Sequence, residues 1–142
     1  MIIKSFDINR INIKEKKVIL LHGKNEGHKN QVIESFSREF PEILNYEENQ
    51  IIENPEMFME NLSIKSLFDD KKFIVIKRTT DKILRVIKKI NIKNIGNINI
   101  ILNSDILEKK SQLRNFFEKD ENYVSVAFYP DNEQTLLKIA YS

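Results

Sequence analysis

The chain has no cysteine, which excludes a disulfide framework, a thiolate zinc site and a thiol nucleophile. Its two histidines, His22 and His28, leave little room for a histidine metal site or for imidazole acid–base chemistry. Three glycines and three prolines argue against a low-complexity or fibrous chain. No apolar run approaches the ~20 residues that span a bilayer. The opening Met1-Ile2-Ile3-Lys4-Ser5-Phe6-Asp7 lacks the apolar stretch and small-residue cleavage site of a signal peptide. With the lack of cysteine, this leads us to expect a cytoplasmic protein. No excess of one charge is present either. Lys and Arg number 23 against 21 Asp and Glu, a formal charge of +2, too even to mark a dedicated nucleic-acid binder.

What remains is a chain of 142 residues, 41% hydrophobic and 31% charged, the length of one domain. Short apolar runs predict buried strands at Val18–Leu21, Phe73–Ile76, Ile98–Leu102 and Tyr123–Phe128, with a weaker one at Ile43–Glu47. Stretches with helical spacing lie between them. Val32, Phe36 and Phe40 fall at i, i+4 and i+8. Phe58 and Leu62 continue a short helix that Asn54 caps and Pro55 opens. Ile83, Val86, Ile87 and Ile90 follow Thr80 as a cap, and Leu113, Phe116 and Phe117 mark a fourth helix. Asp131 and Gln134 have capping-box spacing and open a last helix through Leu136, Leu137 and Ala140. This alternation predicts an α/β fold: a five-stranded parallel sheet with helices on both faces.

In such folds the first strand-to-helix turn often cradles phosphate. Here it reads His22-Gly23-Lys24-Asn25-Glu26-Gly27-His28-Lys29-Asn30. Against the pattern G-x-x-x-x-G-K-[ST], Gly23 and Lys29 are in place. The second glycine is displaced to Gly27, and Asn30 stands where a hydroxyl would hold magnesium. Glu26 brings negative charge to the place of the phosphates. Lys77-Arg78 follows the third strand where a metal-holding acid would stand, and Asp105 is displaced beyond Asn103-Ser104. The residues describe a P-loop-like domain with a degenerate nucleotide loop.

One segment does not fit a core. Leu67 and Phe68 are adjacent, so on a helix or turn they point about 100° apart. Asp69, Asp70, Lys71 and Lys72 follow directly. Two readings are open from the residues: a surface knob, or a pair tucked under the sheet before the third strand.

The string Ser66-Leu67-Phe68-Asp69-Asp70-Lys71-Lys72, followed by Phe73-Ile74-Val75-Ile76, resembles the bacterial DNA polymerase III delta subunit. So do Leu20 to Gly27, Asn54-Pro55-Glu56, Leu107 to Arg114 and Tyr129 to Glu133, in the same order over nearly the whole chain. The resemblance implies an AAA+-like (RecA-type) fold and the clamp-opening component of a replicative clamp loader, which neither binds nor hydrolyses ATP. It implies that residues 1–129 are the clamp-binding domain. Residues 130–142 would be the first helix of a truncated lid domain, with the collar that holds the loader together missing. By position, Leu67 and Phe68, with Ser66 beside them, are the pair that enters a hydrophobic pocket on the sliding clamp. Asp69 to Lys72 either steer that docking or form a solvated turn. No cofactor is expected. The expected partners are the sliding clamp and, for a full-length protein, the loader's ATPase subunits; this piece alone is expected to be a monomer.

Two rivals stand beside this reading. A P-loop NTPase or small-molecule kinase needs nucleotide at Gly23 to Asn30. A DNA-binding module would use Lys82, Arg85, Lys88, Lys89 and Lys93, extended by Lys109, Lys110 and Arg114, to neutralise phosphates.

Overall fold

Continuous apolar runs form strands only where both faces of the sheet are covered, and that is how the computed structural model is built. It describes residues 1–12, 15–68 and 71–130, without the side chains of Asn9 and Arg10. The strands are β1 (Ile2–Lys4), β2 (Val18–Gly23), β3 (Glu42–Glu47), β4 (Lys72–Lys77), β5 (Ile98–Asn103) and β6 (Tyr123–Phe128). They form one sheet in the order β1-β6-β2-β5-β4-β3, with every pairing parallel.

Alternate residues of each strand feed two cores. Val18, Leu20, Ile74, Ile76, Ile98, Ile100 and Leu102 share one face with four helices: α2 (Glu48–Glu53), α3 (Pro55–Ser66), α4 (Leu84–Lys89) and α5 (Gln112–Lys119). Those helices contribute Ile51, Phe58, Leu62, Val86, Ile87, Leu113 and Phe117. Ile19, Leu21, Phe73, Val75, Ile101, Val124 and Val126 face the other way, onto Val32 and Phe36 of α1 (Glu26–Ser37) and Ile8 of an N-terminal 3-10 turn. The expected α/β class, parallel sheet and two-sided cover are therefore present, with the helices unevenly divided.

Three expectations need correction. The sheet has six strands rather than five. The extra one, β1, is only three residues long and borders β6, too short to show a hydrophobic period. Two helices, not one, join β3 to β4. α2 carries the buried acid Glu48, whose carboxylate accepts from the Thr80 N–H at 2.7 Å and from its hydroxyl. Third, Phe40 lies beyond the end of α1 and packs across on Phe73, ring centroids 5.0 Å apart. The expected helix opening at Asp131 lies outside the described residues, as does almost all of the expected lid segment 130–142.

Candidate functional site

Two regions carried the functional expectations, and they lie at opposite ends of the sheet. In a parallel sheet all strand starts share one edge. Leu67 and Phe68 precede the start of β4, whereas Gly23 ends β2 beside Phe128 at the end of β6.

The knob is built by the end of α3. Asn54 Oδ1 accepts the Met57 N–H at 3.2 Å and Pro55 opens the first turn, as expected for an N-terminal cap. Phe58 and Leu62 anchor the helix in the core. At the other end Leu67 keeps a helical backbone (φ −75°, ψ −18°), and its N–H reaches the Ile64 carbonyl at 3.2 Å. The Phe68 N–H donates to the Lys65 carbonyl at 3.2 Å. α3 thus runs into a tight extra turn that carries Leu67 and Phe68. Leu67 is 83% exposed and Phe68 58%, so they are not tucked under the sheet. Ile64, 48% exposed, stands one turn back on the same side. It was missed as a site residue, although its spacing of three and four from the pair was visible in the sequence. Ser66 is half-buried and spends its hydroxyl on the Ser63 carbonyl at 2.7 Å. Asp69 and Asp70 lie outside the described residues.

A glycine braces this turn from below. Gly96 has φ +62°, and a Cβ there would come within 3.1 Å of the Ser66 carbonyl oxygen. The Lys17 ammonium donates to the Gly96 carbonyl. The turn before β5 therefore passes close against the end of α3.

At the opposite edge the glycine turn is very short. Only Lys24 and Asn25 separate Gly23 from the start of α1 at Glu26. Asn25 caps the helix, its Oδ1 accepting the His28 N–H at 3.1 Å, and its carbonyl accepts the Lys29 N–H at 3.0 Å. Gly27 and Lys29 consequently sit inside the helix rather than in an open loop. The glycines differ in role. Gly23 has φ +117°, and a Cβ would lie 2.0 Å from the Phe128 carbonyl oxygen, whereas a Cβ at Gly27 would meet only Asn25 Oδ1 at 3.8 Å. Gly23 is there to let β2 and β6 approach.

Lys29 is fully buried, and its ammonium donates to the Ser104 carbonyl at 2.7 Å and pairs with Glu26 at 2.5 Å. Ser104 in turn bonds Thr79 through its hydroxyl, with both side chains buried. Burying an ammonium demands such partners. This lysine is a strut between α1 and the end of β5.

His22 also lies at this edge, buried beside a small cavity of about 180 Å3 that Arg114, Ile106 and Phe128 help to line. Burial, then the positive charge of Arg114 and, more weakly, Lys29, push its imidazole down to about 4 against the opposing pull of Glu118. It is neutral near pH 7. Among the described residues no group of three or more His, Asp or Glu side chains could hold a metal ion, and no helix is long and apolar enough to cross a membrane.

The expected basic patch divides. Lys82, Arg85 and Lys88 line one groove. Lys110 pairs with Glu108 at 3.3 Å, and half-buried Arg114 is spent on Glu118 at 2.7 Å and on the Leu107 carbonyl at 2.9 Å. Comparison of the sequence with protein families and with curated proteins gave no match.

Proposed function

We propose that this chain is the clamp-binding domain of a clamp-loader subunit of the DNA polymerase III delta type. It docks on the sliding clamp through Leu67 and Phe68 and helps to open it, without ATPase activity of its own. The observation that carries this reading is the exposure of that apolar pair on the turn that ends α3, at the position where the resemblance puts the clamp contact. The AAA+-like reading of the fold is supported by the glycine turn that opens from central β2, where phosphate loops sit in doubly wound sheets. The buried, paired Lys29 favours a loop that has given up its nucleotide. Under this reading the collar that holds the protein among the loader's ATPase subunits is not part of these residues, and the piece alone is a monomer.

Burying two such side chains contributes about 1.5 to 3 kcal/mol each. The sum, about 3 to 6 kcal/mol, falls short of the ~8 kcal/mol of a micromolar complex. Ile64 and Met57, both exposed on α3, extend the surface and supply the remainder. Opening then requires that the knob fit the opened ring better than the closed one, because a ligand shifts an equilibrium only by its differential affinity.

The test is the double variant Leu67→Ala, Phe68→Ala, mixed with a bacterial sliding clamp. It should melt like the parent chain and bind the clamp at least about a hundredfold more weakly, ~2.7 kcal/mol. Unfolding of the variant would make the pair core. A folded variant that binds as well as the parent would put the anchor elsewhere. Titration of the parent chain with Mg-ATP should show no binding up to millimolar concentration.

A further inference from the structure

His22 is 4% exposed, and no hydrogen bond among the described residues reaches its imidazole. Yet no fully enclosed side-chain nitrogen or oxygen among them lacks a partner. The ring nitrogens of His22 therefore open onto the cavity of about 180 Å3 that the residue lines. A polar group held this deep costs stability unless something in the cavity bonds it. The walls beside it are apolar: Ile106 and Leu107 after β5, Phe128, and Ala127, which sits next to His22 across the β2–β6 pairing.

Among the described residues, two cations also line the cavity and no acid does. Lys24 is exposed, and no ion pair among the described residues reaches it. Arg114 donates through Nε to Glu118 at 2.7 Å and through Nη1 to the Leu107 carbonyl at 2.9 Å, which leaves Nη2 uncommitted among the described residues. After burial, the strongest influence on the imidazole is the Arg114 charge; it outweighs Glu118, and Lys29 adds to it. The ring thus stands in a net positive field, neutral itself near pH 7 and able to donate one hydrogen bond.

We infer that this cavity is a binding site for a small monocarboxylate with a single apolar ring, its carboxylate facing His22, Lys24 and Arg114 and its ring against Ile106, Leu107 and Ala127. A dry apolar cavity of about 150 Å3 holds one benzene ring. This one therefore takes one ring with a short polar group and is too small for a nucleotide. A carboxylate suits its donors better than a phosphate does. The cavity offers one imidazole, one guanidinium nitrogen and one ammonium, whereas a phosphoryl group brings a charge of about −1.5 to −2 and three acceptor oxygens. The backbone N–H groups that would cradle a phosphate are spent. Those of His28 and Lys29 are bonded to Asn25, and that of Gly23 to the Asp105 carbonyl. The cavity and the knob lie at opposite ends of the sheet, so the inference does not depend on the clamp reading.

The experiment is titration of the whole chain with benzoate near pH 7, followed by amide NMR shifts. Saturable shifts should centre on His22, Ala127 and Phe128, with a dissociation constant of about 1 mM or tighter. Acetate, which has no ring, and benzyl alcohol, which has no charge, should each bind at least about tenfold more weakly. Lys24→Gln should keep the parent melting temperature and lose about threefold for benzoate, as an exposed charge does, with benzyl alcohol unchanged. His22→Leu keeps the volume without the polar atoms and should lose at least about tenfold. Ala127→Leu fills the cavity and should abolish the shifts in a folded chain. No saturable shift, shifts centred elsewhere, or a folded Ala127→Leu chain that binds like the parent would each overturn the inference. Benzyl alcohol as tight as benzoate would mark a plain apolar cavity, acetate as tight would mark surface cations alone, and phenyl phosphate tighter than benzoate would mark a phosphate site; each overturns it equally. The Leu67→Ala, Phe68→Ala variant should bind benzoate like the parent, so failure of the clamp reading and failure of this one are distinct results.

Discussion

Replacing Lys29 by methionine keeps most of the buried stem and removes only the ammonium, so it isolates what that charge does. In the fold the ammonium satisfies the Ser104 carbonyl at 2.7 Å and the Glu26 carboxylate at 2.5 Å. Losing a charged hydrogen bond to a buried carbonyl costs about 1.5 to 3 kcal/mol. The Glu26 side chain is 60% exposed, so its share of the pair is screened by solvent and contributes at most about 1 kcal/mol. The variant should lose about 2 to 4 kcal/mol in urea unfolding followed by circular dichroism, with an unchanged slope against denaturant. At ~3.5 °C per kcal/mol for a domain of this size, the melting point should fall by about 7 to 14 °C. A variant as stable as the parent would refute the strut. A stable variant that had also lost nucleotide binding would restore the phosphate-loop reading, in which the same lysine serves the ligand and not the fold.

His22 gives a pH dependence. Its folded value of about 4 lies below its ordinary 6.5, so below pH 6.5 the unfolded chain takes up a proton that the folded chain refuses. Stability from this group is complete above about pH 6.5 and is lost progressively toward about pH 4, by up to about 3 kcal/mol; unfolding curves of the parent and of His22→Gln should differ in slope across that window and nowhere above it. The two glycines of the turn should respond oppositely. Gly23→Ala forces a Cβ onto the Phe128 carbonyl at φ +117° and should cost about 3 kcal/mol or more. Gly27→Ala, whose Cβ would make only an ordinary contact with Asn25 Oδ1 within the first turn of α1, should be neutral or gain up to about 1 kcal/mol. Thermal melts of the two variants check both, and equal losses would mean that the turn is not built as described.

The central strands were legible because burial on both faces leaves one signal, an unbroken apolar run, as in Val18–Leu21 and Ile98–Leu102. β3 was fainter because it is the outer strand, with Ile43 exposed. β1 is too short to leave a local trace. α2 has a local capping box between Glu47 and Gln50, but six residues are too few to show a helical period, and it is also fastened by Glu48 to Thr80, 32 residues along the chain. The apolar pair set against charges left a surface knob and a buried pair both open, and the exposure of Leu67 and Phe68 decides for the surface. The fate of Lys29 could not be read, because its partner Ser104 is 75 residues away and nothing in the turn itself tells a lysine aimed at a phosphate from one aimed at a carbonyl.

The strand order also constrains how the chain can be made. Among the described strands β6 comes last in the chain, yet it lies between β1 and β2 and pairs with β2 along six residues, from Val18 with Tyr123 to Gly23 with Phe128. Until then the nascent chain can assemble β2 to β5 but exposes one whole edge of β2 to any passing strand. β1, which precedes the other described strands, has no neighbour to join until β6 forms. Completion must wait for closure of a loop of about a hundred residues, a slow and aggregation-exposed step. A chain cut before Tyr123 would keep the five described α-helices and the knob, but its sheet would end at an open β2 edge with β1 left unpaired.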